Sequence, residues 1–133
     1  MDRTFTKELY RWKEAKDRKP LLLKGVRQSG KTYLLKEFGK KAYADIAYFK
    51  FEGNEALQKC FDRDLDPKRI ISELGVFHRR AIKPGETLVI FDEIQFCNRA
   101  LTALKYFHED APQHHIVCAG SLLGIALSKP LSF

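Results

Sequence analysis

The chain has 133 residues, 44% of them hydrophobic and 31% charged, with a net charge of +7. That length allows one domain of ordinary size, and the composition is too apolar for disorder. Its longest stretch without charged residues or histidine, residues 116–128, is shorter than the roughly 20 apolar residues of a spanning helix, and the charged N-terminus has no apolar signal core, so a cytoplasmic protein without a membrane segment is expected.

Phe5, Leu9 and Trp12 recur at helical spacing among charged residues, which predicts an amphipathic helix over 3–17, within an N-terminal segment 1–18. Pro20 then opens the short apolar run Leu21-Leu22-Leu23, a first strand ending at Gly25. A helical pattern runs from Lys31 to about Lys41, and residues 45–51 form a second strand stopped by Gly53-Asn54. Asp66-Pro67 is a helix start, with Ile70, Ile71, Leu74 and Phe77 on one face. After the Pro84-Gly85 turn, Thr87-Leu88-Val89-Ile90-Phe91 is an unbroken apolar and β-branched run, the mark of a strand buried on both faces. Asn98 is expected to cap a helix carrying Leu101, Leu104 and Phe107, and residues 116–119 form a fourth strand. Strands alternating with helices give an α/β fold with a parallel sheet covered on both faces.

Gly25-Val26-Arg27-Gln28-Ser29-Gly30-Lys31-Thr32 matches the pattern GxxxxGK[ST] between a buried strand and a helix. Glycines at both ends let the loop turn its backbone N–H groups toward phosphate oxygens, and the following helix presents the positive end of its dipole. Gly25, Gln28, Ser29, Gly30, Lys31 and Thr32 are therefore the candidate phosphate cradle. Lys31 would reach the β- and γ-phosphates, and the Thr32 hydroxyl would ligate Mg²⁺. The run Leu88 to Phe91 ends in Asp92-Glu93, which sets a carboxylate at the carboxyl edge of the sheet. Asp92 is the candidate second Mg²⁺ ligand, and Glu93 the candidate base for the attacking water.

In order, KPLLLKGVRQSGKT, LVIFDEIQ and AGSLLGIAL resemble the P-loop ATPases of the AAA+ type, within them a prokaryotic group with the pattern GxRQxGKT, FDEIQ and AGSLLG. The resemblance covers nearly the whole chain. It implies a three-layer P-loop NTPase sandwich, Mg²⁺-dependent ATP binding and hydrolysis that drives a conformational switch or motor, and self-association of the full-length form. Lys31 and Thr32 take the Walker A positions and Asp92 and Glu93 the Walker B positions. Ser121 stands where a polar sensor follows the fourth strand; an ordinary helix N-cap is an equal reading of that hydroxyl. Residues 1–133 would be the amino-terminal ATPase portion of a longer chain, with four strands, lacking the fifth strand and helical lid of such ATPases. Leu21 to Lys24 would then be an open edge, and this portion alone would bind nucleotide while hydrolysing little. No arginine finger is assigned, and Arg79, Arg80 and Arg99 read as solvated surface charge.

Two other readings stay open. A small-molecule P-loop kinase shares the glycine loop, although Asp92-Glu93 after an apolar strand favours water activation. A nucleic-acid module would use the basic first third, since residues 1–41 hold thirteen of the 24 Lys and Arg but five of the 17 Asp and Glu, and DNA would be its partner. Cys60, Cys97 and Cys118 are odd in number and far apart, which predicts buried thiols. The four histidines lack ligand spacing and read as structural or solvent-facing.

Overall fold

The structure, a computed structural model, describes residues 3–25 and 30–121. Helix α1 (Arg3–Glu14) leads to strand β1 (Leu21–Gly25), helix α2 (Lys31–Ala42) and strand β2 (Asp45–Lys50). Helices α3 (Glu55–Lys59) and α4 (Pro67–His78) precede strand β3 (Thr87–Asp92), and a 3₁₀ turn (Ile94–Phe96), helix α5 (Asn98–Asp110) and strand β4 (His115–Ser121) follow. The sheet is parallel throughout, in the order β1-β4-β3-β2.

Alternation along the strands divides the core in two. Leu88, Ile90, Val117 and Ala119 face a layer that holds Leu9 of α1 with Leu35 and Phe38 of α2. Val89, Phe91, Ile116 and Cys118 face the other layer, which holds Leu57, Ile70, Leu74, Leu101, Leu104 and Phe107 from α3, α4 and α5. All six residues of β3 are buried, as expected for a central parallel strand with helices on both sides. The result is the three-layer α/β architecture of a P-loop NTPase core. Against α2 the sheet comes close enough that a Cβ on Gly39 would lie 2.8 Å from Ile46 Cγ1, so this helix face admits no side chain without a shift.

Strand β1 pairs with β4 and, among the described residues, with no strand on its other side. The expected first-strand edge is seen as far as the described residues go, and the expected lack of a fifth strand and lid concerns sequence outside them. Three local readings need correction. Helix α3 was not expected, because five residues are too few for a periodic signal; Asn54, read as a stop, is its N-cap and accepts from Leu57 N at 3.1 Å. Asn98 is the first helical residue rather than the cap of α5, and Cys97 holds the cap position without a side-chain bond. Arg80 and Arg99 are not simply solvated. Arg80 pairs with Asp45 at 3.0 Å, and Arg99 Nε donates to the Phe61 carbonyl at 3.0 Å, because each side chain lies over an acceptor on a neighbouring loop or strand end.

Candidate nucleotide site

In register, Gly25 is opposite Ser121 and Asp92 opposite Ala119. Parallel pairing therefore brings the ends of β1, β4 and β3 to one edge of the sheet, the carboxyl edge where ligands bind in open α/β sheets. Helix α2 begins there. Its N-cap residue, Gly30, has φ +86° and carries no side-chain cap bond. Only glycine takes that conformation without cost, and the absence of a capping side chain leaves the first-turn N–H groups of α2 facing whatever binds at this edge. The first turn also has no acidic residue to compete with an anion.

Thr32, in that first turn, donates its hydroxyl to Asp92 Oδ1 at 3.2 Å. Two hard oxygen donors from α2 and β3 are thus side by side. Mg²⁺ is typically held by one or two protein oxygens together with phosphates and water, so this donor set fits it. Among the described residues no group of three or more His, Cys, Asp and Glu forms a metal cage.

Asp92 and Glu93 are both buried, and their backbones diverge. Asp92 closes the strand, whereas Glu93 has φ 54° and ψ 45°, a left-handed conformation that costs a non-glycine residue on the order of 1–3 kcal/mol and is concentrated at functional sites. Of the other expected site residues, Gly25 ends β1 and Ser121 ends β4, half-buried. Lys31 opens α2. Gln28 and Ser29 lie outside the described residues, as does Arg27.

A family model described as an AAA domain matches residues 17–132. The chain belongs to the AAA family. AAA domains are P-loop ATPases, and the family carries ATP binding and hydrolysis in general, with Mg²⁺ as the accompanying ion. No curated protein matches the chain.

One residue in contact with this AAA domain's candidate site was missed from sequence. Tyr48 of β2 donates its hydroxyl to Asp92 Oδ2, and Lys36 Nζ lies 3.9 Å from the centre of the Tyr48 ring. Burial, and then the bond to Asp92, push the Tyr48 hydroxyl above the ordinary tyrosine range, so it stays a proton donor. The signal was present in the alternation of β2, where Tyr48 falls on the α2 side of the sheet and Ala47 and Phe49 on the other. Read one strand at a time, Tyr48 counts only as an apolar strand residue. Two of the histidines have structural contacts: His115 is buried against Tyr43, and His78 bonds Asp45 at 2.7 Å. All three cysteines are buried and free. Among the described residues, no helix is long and apolar enough to cross a membrane.

Proposed function

We propose that the chain binds Mg²⁺–ATP at the carboxyl edge of its sheet and that hydrolysis there drives a conformational switch. The observation that carries this reading is the Thr32–Asp92 contact at 3.2 Å beneath the N-terminus of α2, which joins the glycine loop and the strand-end carboxylate in one site. The loop of Gly25, Gln28, Ser29 and Gly30 cradles the phosphates with backbone N–H groups, and Lys31 adds a point charge. Thr32 and Asp92 hold Mg²⁺, which when bound neutralises charge on the phosphate oxygens. In this reading Glu93 orients and deprotonates the attacking water, and Ser121, which ends the adjacent strand, hydrogen-bonds the γ-phosphate or that water. A cytoplasmic location and self-association belong to the same proposal. Several cations of the basic first third already have intramolecular contacts: Lys40 pairs with Glu37, Lys36 lies over Tyr48, and Arg18 donates to the carbonyls of Lys13 and Pro112.

Calorimetric titration with Mg²⁺–ATP tests the assignment. The wild-type chain binds, and Lys31→Ala loses on the order of 1.5–3 kcal/mol of binding free energy, the usual size of a charged hydrogen bond. Equal binding by the two proteins contradicts the phosphate-cradle assignment.

A further inference from the structure

Asp92 is held from both sides. Its Oδ1 accepts from Thr32, its Oδ2 from Tyr48, and the Tyr48 ring is itself fixed by Lys36 at 3.9 Å. Lys36 follows Thr32 by four residues, one turn along the same helix, so α2 contributes to both ends of the chain of contacts Thr32, Asp92, Tyr48, Lys36. Tyr48 sits on β2, whose register with β3 sets Lys50 opposite Asp92 and Tyr48 opposite Ile90. The tyrosine therefore reaches along the sheet toward the strand end. A carboxylate with two oxygens can turn about its own bond, and a ligand oxygen that wanders binds a cation less well than one held in place.

We propose that Tyr48 is a positioning residue for this site: by fixing Asp92 through Oδ2, it keeps Oδ1 turned toward Thr32 and the cation. The proposal rests on the reading of Asp92 as a Mg²⁺ ligand. Lys36 acts one contact further out, by holding the ring over which its ammonium lies. Since Tyr48 has no phosphate or water to touch in this role, its removal weakens cation binding and leaves nucleotide binding without the cation as it was.

The test measures Mn²⁺, as a paramagnetic stand-in for Mg²⁺, binding to the chain in the presence of a non-hydrolysable ATP analogue, read from the electron paramagnetic resonance of free Mn²⁺. Tyr48→Phe keeps the ring and the Lys36 contact and removes only the hydroxyl. It is expected to weaken Mn²⁺ binding about tenfold, the lower end of the range for groups that orient a metal ligand, with unchanged analogue binding in EDTA. In an Asp92→Ala background the same substitution has no further effect, because the carboxylate it acts through is gone. Unchanged Mn²⁺ affinity in Tyr48→Phe overturns the proposal, and so does an equal loss in both backgrounds. If Asp92→Ala alone binds Mn²⁺ like wild type, the metal-ligand reading of Asp92 falls and the role of Tyr48 falls with it. That result separates the failure of the site from the failure of its tyrosine.

Discussion

Asp92 and Glu93 are chemically near-identical neighbours that the backbone gives different settings. The first is extended at the end of a buried strand and bonded to Thr32 and Tyr48. The second turns into the left-handed region at φ 54°, which breaks the alternation that would otherwise send successive side chains to opposite faces. The proposed division of labour, ligand and base, follows from that break. Glu93→Gln keeps the shape and loses the basicity, so the variant is expected to bind Mg²⁺–ATP as wild type does while single-turnover hydrolysis falls about 10²- to 10⁴-fold, the usual worth of a general base. An undiminished rate removes the base from Glu93. At this scale the sequence was most legible where the chemistry is local. Gly30 was singled out from its place in a loop pattern, and its φ of +86° is what that pattern requires. Tyr48 was not legible, because its role comes from the pairing of β2 with β3 and from the helix lying over both.

Helix α1 shows how an element outside the site is fixed. Leu9 is fully buried in the α2-side layer, and Trp12 packs against the same layer while its indole N–H donates to the Lys19 carbonyl at 2.6 Å. Beneath it, the Tyr43 hydroxyl and His115 Nδ1 are 2.6 Å apart, and the Trp12 and His115 rings meet edge to face at 5.8 Å. Burial, with Arg18 and Lys13 nearby, lowers His115 to about 4, and burial lowers His114 as well. A histidine whose folded value lies below its unfolded value of about 6.5 favours folding in its neutral form. That stability is present above pH 6.5 and is lost as pH falls toward 4, where the unfolded chain takes up protons that the folded chain resists. Asp45, held near 2 first by its bond to Arg80, contributes stability that is present above about pH 4 and lost only below it. The urea midpoint is therefore expected to fall between pH 7 and pH 4.5, with Trp12, the single tryptophan, reporting on the docking of α1. A midpoint that stays level over that range contradicts a buried neutral His115. The helix was foreseen from its apolar spacing and ends three residues earlier than expected, at Glu14. Short α3 escaped notice because a five-residue helix offers a cap but no period.

For the molecule as a whole, one sheet separates two kinds of work. Its amino-terminal edge holds the structural pairs Asp45 with His78 and Arg80, and its carboxyl edge gathers Gly25, Asp92 and Ser121. The architecture could be read in advance because helical segments separate each strand from the next and Leu88 to Phe91 of β3 are an unbroken apolar run. Of the strand order only the open edge at β1 was expected, and that through resemblance, since pairing across a parallel sheet leaves no local mark. A ligand that binds the folded chain alone stabilises it by mass action, so Mg²⁺–ATP at about 100 times its dissociation constant is expected to add about 2.7 kcal/mol to unfolding. Chemical denaturation with and without nucleotide checks this, and an unmoved midpoint at that saturation opposes specific binding. The most direct measurement of the central claim is hydrogen exchange mapped along the chain with and without Mg²⁺–ATP. Protection is expected to concentrate in peptides covering residues 25–34 and 88–95, where the glycine loop, the start of α2 and the end of β3 meet, and to be lost in Lys31→Ala; protection confined to α1, or none at the carboxyl edge, would contradict the site.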